Sequence, residues 1–207
     1  MTEPGTADAA ELFAALPEVD EDAQRLLHAR LVAAADRAGI LDVAYRTVDS
    51  PLGTLLLAAT DEGLVRVAYD RESHERVLEQ LADRVSPRIL LAPARLEEAA
   101  TQIEEYLAGR RTRFDLPLDL RLSHGFRRTV LSHLTEIDYG RTASYAAVAA
   151  VTGHPRAVRA VGTACATNPL PLLVPCHRVI RSDGSAGAYV GGAEAKLALL
   201  RLESAAA

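Results

Sequence analysis

The apolar run Leu170-Pro171-Leu172-Leu173-Val174-Pro175-Cys176-His177-Arg178-Val179-Ile180 sets a cysteine beside a histidine. A run of that length reads as buried, and Pro175 removes a backbone donor just before the cysteine, so Cys176 falls where a buried strand meets a break. Two readings compete for it. A free cysteine is most often a small apolar core residue. A thiolate is also the strongest nucleophile among side chains, and His177 and Arg178 are near enough to favour its ionisation. Successive side chains of an extended segment point to opposite faces, so His177 reaches Cys176 only through a turn of the backbone or a bridging water. On residue type alone the core reading prevails, and the surrounding elements must decide.

Those elements are helical. Phe126 to Ile137 carries Val130, Leu131, Leu134 and Ile137 on one face. Ser144 can cap a helix running to about Val151, Thr152-Gly153-His154 makes a turn, and Pro155 suits the first turn of a helix reaching about Thr167. This is a helix-turn-helix pattern, although two short helices alone are weak evidence of DNA binding. The second helix offers arginine and small residues, with few side chains able to read base edges in the major groove. Downstream, Gly184, Gly187, Gly191 and Gly192 give the loop from Arg181 to Gly192 tight turns and close backbone approach. No Gly-Lys-Ser or Gly-Lys-Thr follows, which disfavours a nucleotide triphosphatase. A helix from about Ala193 to Leu202 places Glu203 at its end.

The first half has a different texture. Asp20 to Ala38 reads as an amphipathic helix capped by Asp20 and stopped by Gly39, with Leu26, Leu27, Leu31, Val32 and Ala35 packing on the body, and the first nine residues read as a flexible tail. Val43 to Val48, Leu52 to Ala59 and Leu64 to Tyr69 are separated by Ser50-Pro51 and Asp61-Glu62-Gly63, giving three antiparallel strands. Helices follow at about Glu72 to Arg84 and Ala94 to Leu107. The whole of this half reads as scaffold.

A net charge of −5 argues at first against a nucleic-acid partner, but its distribution reverses that. Residues 1 to 109 hold 10 arginines against 21 acids, whereas residues 110 to 181 hold 11 arginines against 4 acids. Affinity for phosphate follows local charge, so the second half suits DNA and the binding should be salt-dependent. Two cysteines and six histidines, with no Cys-x-x-Cys pair, offer no tetrahedral ligand set, so no metal and no cofactor is expected. The cysteine count fits a reducing cytoplasm, and no signal peptide or membrane-length apolar run is visible.

Pro175-Cys176-His177-Arg178-Val179, preceded by Tyr139-Gly140, Ser144-Tyr145, Arg159-Ala160-Val161-Gly162 and Asn168-Pro169 and followed by Gly187-Ala188-Tyr189-Val190-Gly191-Gly192, resembles the methylated-DNA–protein-cysteine methyltransferases. That family repairs O6-alkylguanine, and the likeness runs over roughly residues 123 to 203. It implies an α+β fold. An RNase H-like amino-terminal domain (41–109), with a three-stranded antiparallel sheet and helices, would follow a tail and helical extension (1–40). A linker (110–122) would then lead to a helical DNA-binding and alkyltransferase domain (123–207). Cys176 would take the alkyl group, irreversibly and once per molecule. His177 would draw the thiol proton through a water and be oriented by Glu203. The resemblance further implies minor-groove binding of double-stranded DNA, with Ala160 and Gly162 against the backbone, Arg159 as a finger filling the gap left by the flipped base, and Tyr145 crowding the phosphate and bonding the base. Tyr189 and Val190 would line the base pocket. The carbonyls of Cys176 and Val179 would accept from the guanine amino group, Asn168 would hold the hinge turn, and Lys196 would support the site.

Cys165 reads as packing, with a redox partner for Cys176 as the alternative. The expected protein is a cytoplasmic monomer acting in DNA repair. A non-catalytic lesion-binding module is disfavoured by the presence of Cys176, and a sequence-reading regulator by the lack of base-reading side chains.

Overall fold

The computed structural model describes residues 20–205, so the reading of the first nine residues lies outside the described residues. Helix α1 (Glu21–Arg37) starts where Asp20 accepts the N–H groups of Asp22 and Ala23, at 3.0 and 3.3 Å, and it gives way to Gly39 in a left-handed turn. Ala35 is buried, and His28 meets the Leu91 carbonyl at 2.6 Å. Leu26, Leu27 and Leu31, expected on the packed face, are instead more than half exposed. The helix docks through its His28, Val32 and Ala35 side, which is one turn-face round from the leucines.

Strands β1 (Val43–Val48), β2 (Leu55–Thr60) and β3 (Gly63–Tyr69) pair antiparallel as the alternation predicts. A fourth strand, β4 (Ile89–Leu91), lies parallel to β1 and makes the order β3-β2-β1-β4, so the three-stranded sheet expected from the sequence is four-stranded and mixed. A strand of three residues, set between Pro87 and Pro93, is too short to show a period of two.

Alternation then distributes the sheet between two cores. Val43, Leu56, Ala58, Val65 and Ala68 face Val77 and Leu81 of α2 (His74–Arg84). Ala44, Leu55, Leu57, Val67 and Tyr69 face Ala99, Ile103 and Tyr106 of α3 (Glu97–Leu107). This second core continues without a break into the carboxy-terminal half. Both helices begin later than expected because short 3₁₀ turns, Asp70–Glu72 and Pro93–Leu96, precede them.

The segment expected as a linker is stitched to the sheet. Leu64 N–H donates to the Pro117 carbonyl at 2.9 Å, and Asp119 N–H donates to the Leu64 carbonyl at 2.7 Å. The Asp119 carboxylate, 3 % exposed, accepts from Thr60 Oγ1 at 2.7 Å and pairs with Arg121.

Helix α4 (Gly125–Leu134) is followed by β5 (Ala143–Ser144), α5 (Tyr145–Val151), α6 (Val158–Ala166), β6 (Val179–Ile180) and α7 (Gly192–Ala205), with β5 parallel to β6. Ser144 caps α5 as expected, its Oγ accepting Ala147 N–H at 3.0 Å. Pro155 does not open α6. A turn closed by Ala157 N–H to the His154 carbonyl, at 2.8 Å, delays the helix to Val158. Helix α7 runs past Leu202, so Glu203 lies within it. Among the described residues no helix is long and apolar enough to cross a membrane.

Gly63 tests the stitching. Its φ is +138°, and a Cβ there would lie 2.3 Å from the Pro117 carbonyl oxygen. Gly63→Ala should lower the unfolding free energy by about 3 kcal/mol, read from a urea midpoint, because strain and a lost hydrogen bond add.

Candidate active site

Cys176, His177 and Arg178 form one 3₁₀ turn, and that turn is what separates their side chains. All three are buried, at 1, 0 and 7 % exposure. The run before Cys176 is buried as expected but is not a strand: Leu170 to Val174 folds into a turn, with Val174 N–H on the Leu170 carbonyl at 2.8 Å, and Cys176 N–H closes back on the Val174 carbonyl at 2.7 Å after Pro175.

Asn168 holds the cysteine from behind. Its Nδ2 lies 3.1 Å from Cys176 Sγ and 2.8 Å from the Val174 carbonyl, while its Oδ1 accepts Leu170 N–H at 3.0 Å. One buried side chain thus ties the end of α6 to the cysteine segment. Burial pushes the Cys176 thiol up to about 11, against the Asn168 hydrogen bond and the Lys196 charge. The expectation that His177 and Arg178 favour ionisation of the thiol is not met for Arg178, whose guanidinium turns to Glu203 instead. The cation on the thiol's side is Lys196, wholly buried, with Nζ on the Val179 carbonyl at 2.5 Å.

Glu203 gathers the other half of the site. It accepts from His177 Nε2 at 2.8 Å, from Arg178 Nε and Nη2 at 2.9 to 3.1 Å, from Gly140 N–H at 3.0 Å and from the Tyr106 hydroxyl. At 1 % exposure it is not the solvated glutamate that a helix end suggests. Burial alone would raise its carboxyl, but the His177 and Arg178 hydrogen bonds outweigh that and hold it down at about 2. An ionised carboxylate only accepts, so His177 Nε2 carries the hydrogen. Burial lowers the His177 pKa despite Glu203, so the ring is neutral and its Nδ1 holds a lone pair. That Nδ1 is buried and has no protein partner.

Tyr145 opens α5 at the mouth of the site. Gly187 approaches it so closely that a Cβ would lie 2.6 Å from the Tyr145 hydroxyl, and Lys196 Nζ sits 5.8 Å from the ring centroid. An open cavity of about 500 Å³ here is lined by Tyr145, Arg159, Gly162, Ala166, Arg181 and Gly187. Arg159 and Ala160 are exposed on α6, Gly162 is half-buried, and Val190 is half-buried beside Tyr189. Tyr189 is buried and edge-on to His177, with ring centroids 6.2 Å apart. Val179 is buried in β6. Tyr145, Arg159 and Gly162 thus share one cavity, Asn168 touches Cys176, Glu203 and Tyr189 adjoin His177, and Cys165 packs in the same core as Cys176, whereas Ala160 does not line that cavity.

The half read as scaffold also reaches the site, which the sequence reading missed. Tyr106 of α3 touches His177 Nε2 at 3.2 Å as well as Glu203, and Tyr69 of β3 meets the Tyr189 hydroxyl at 3.0 Å. A signal existed for Tyr106. It falls on the same face of α3 as Ala99 and Ile103, and a tyrosine on a core face must find a partner for its hydroxyl.

Residues 43–120 match the model of the 6-O-methylguanine DNA methyltransferase ribonuclease-like domain, and residues 125–205 match that of the same family's DNA-binding domain. The methylated-DNA–protein-cysteine methyltransferase of Mycobacterium tuberculosis strain H37Rv is 40% identical over 163 residues, which is 79% of this chain and 93% of the relative. The chain belongs to the 6-O-methylguanine DNA methyltransferase family. The constitutive methylated-DNA–protein-cysteine methyltransferase of Bacillus subtilis is 37% identical over 163 residues, 77% of this chain and 94% of the relative. Among solved structures, Mycobacterium tuberculosis OGT in complex with DNA superposes with a TM-score of 0.70 at 38% identity, covering 79% of this chain and 94% of that one. The α+β architecture, with a small sheet before a helical DNA-binding unit, is that of this methyltransferase family.

The Glu203 carboxylate makes a pH prediction. Its folded pKa lies below the ordinary 4.5, so its contribution to stability is complete above that value and is lost as pH falls towards about 2. The urea midpoint should fall across that window. Glu203→Gln, which leaves Arg178 buried without a counter-charge, should cost about 3 to 5 kcal/mol at pH 7 and flatten the acid limb.

Proposed function

We propose that this protein repairs DNA by moving the alkyl group of O6-alkylguanine onto its own Cys176, once and irreversibly. The observation that carries the reading is the buried His177 Nδ1, a lone pair with no protein partner, on the residue that follows the thiol in one 3₁₀ turn.

A thiol held at about 11 is ionised to roughly one part in 10⁴ at pH 7, a deficit of about 5 kcal/mol. Proton removal must therefore accompany substrate binding. His177 Nδ1 takes the Cys176 proton through a bridging water, and Glu203 stabilises the imidazolium that forms at Nε2. Sγ then attacks the alkyl carbon in line with its bond to O6. That bond breaks, its electron pair stays on guanine, and a thioether forms on the protein. The N–H of Val190 meets O6 as charge develops there, and the Tyr145 hydroxyl donates a hydrogen bond to the base. Carbonyls of Cys176 and Val179 accept from the amino group, and Tyr189 forms a wall. A thioether is not cleaved by water, so the chain is consumed.

O6 lies inside the base-paired stack, so the nucleotide must leave the duplex, at a cost of a few kcal/mol. Arg159, exposed on α6 above the Tyr145 cavity, fills the gap, while Ala160 and Gly162 let the helix lie close to the minor groove. The basic residues 110 to 181 supply phosphate attraction, and the DNA complex of the Mycobacterium tuberculosis relative supports the same partner here. We assign residues 41–109 to the first domain, 110–122 to the joining segment and 123–207 to the DNA-binding and transfer domain, acting as a monomer. Asn168 keeps the turn between α6 and the cysteine in place.

Incubation with a duplex containing O6-methylguanine should add a single methyl group to the intact mass. Peptide mapping should place it on Cys176, and Cys176→Ser should show none; an unmodified wild-type protein would overturn the reading. Arg159→Ala should slow repair in duplex DNA by at least about tenfold while leaving reaction with the free alkylated base unchanged, measured by single-turnover alkylation. Equal losses on both substrates would remove the finger role.

A further inference from the structure

A second cavity, of about 310 Å³, lies between the two halves and is lined by Arg66, Glu72, Gln80, Arg84, Arg127 and Asn168, among others. Arg66 is matched within it by Glu72. Arg84 of α2 and Arg127 of α4 are not matched: among the described residues neither has a carboxylate within salt-bridge distance. Both instead donate from Nη2 to one acceptor, the Leu122 carbonyl, at 3.2 and 2.8 Å.

A single carbonyl brings two guanidinium groups together and cannot neutralise them. The two Nη2 atoms lie within about 6 Å of each other, where like charges repel unless an anion joins them. Most of the N–H groups on Arg84 remain unused, since Leu122 is its one hydrogen-bond partner among the described residues. Arg127 reaches on to Thr167 Oγ1, at 3.4 Å, just past the end of α6. Two arginine forks converging beside a carbonyl are suited to a tetrahedral oxyanion.

The position of the cleft selects which oxyanion arrives. Ala166 lines both this cleft and the cavity holding Tyr145 and Arg159. A duplex laid on α6 for repair therefore carries its phosphates past the cleft. We propose that Arg84 and Arg127 together grip one backbone phosphate of the bound duplex, so that the amino-terminal half takes a direct part in the DNA footprint. This rests on the DNA-repair reading above.

The test is the salt dependence of equilibrium binding to a lesion-free duplex, followed by fluorescence anisotropy in a KCl series with the full chain. The slope of log K against log[KCl] should fall by about 0.9 in Arg84→Gln/Arg127→Gln, the release expected for one phosphate of B-DNA. Arg30→Gln, an exposed arginine of α1 that lines neither cavity, should keep the wild-type slope. Arg84 is exposed, so Arg84→Gln alone leaves the fold intact and should weaken binding at least threefold. Reaction of each variant with free O6-alkylguanine should match wild type. Superimposable slopes and affinities would overturn the proposal. So would saturable binding of inorganic phosphate that the double variant loses without any change in duplex binding, because the cleft would then hold a free anion. A wild-type chain that binds no duplex would overturn both this proposal and the repair reading, whereas normal repair with an unchanged slope would overturn this one alone.

Discussion

One buried carboxylate holds the site together. Glu203 accepts from His177, Arg178, Tyr106 and the Gly140 backbone, so α7, the cysteine turn, α3 and the loop after α4 all converge on it. Burying a carboxylate is costly unless every lone pair is answered, and here five donor groups answer it. The same network dictates the histidine tautomer. Because the carboxylate can only accept, His177 must present its hydrogen at Nε2 and keep Nδ1 free, which decides what the ring can do for the thiol.

Packing makes that network possible. The core that begins at Ala35 and passes through β1, β2 and α3 continues through Leu131, Val161 and Val174 to Leu199. The two halves of the chain therefore do not meet across a wet boundary. Tyr106 and Tyr69 cross the junction in opposite parts of the site, one behind His177 and the other behind Tyr189. Segment 110–122 adds backbone hydrogen bonds to β3, so the connection between the halves is itself part of the sheet.

Electrostatics divides the site into two regions. Around Glu203 the charges are matched and satisfied, with Arg178 also lying over the Tyr139 ring at 5.7 Å. Around Cys176 they are sparse: one buried lysine and an amide face a thiol that burial keeps protonated. In the transfer proposed above, that difference keeps the thiol inert until a substrate closes over it. Beyond the site, Arg127 and Arg159 of the basic stretch and Arg84 of the otherwise acidic first half carry no acidic partner among the described residues.

The sequence by itself determined the local features. Alternation predicts β1 to β3, Asp20 and Ser144 cap the helices they precede, and the proline before Cys176 places the break that becomes a 3₁₀ turn. These are short-range effects of backbone geometry and solvation, and each is readable within a few residues. The Pro-Cys-His-Arg motif and its neighbours pointed to Cys176, His177, Glu203, Asn168, Tyr145 and Tyr189, which the fold gathers into one region. Only the tertiary structure decided the rest: β4 pairs through three residues, Arg178 turns from the thiol to Glu203, and Tyr106 and Tyr69 enter from a half that read as scaffold. Those contacts join residues that are 25 to 120 positions apart, and no local pattern encodes them. They exist because a buried hydroxyl or guanidinium must find a partner, and the partner it finds is whichever one the packing brings within reach.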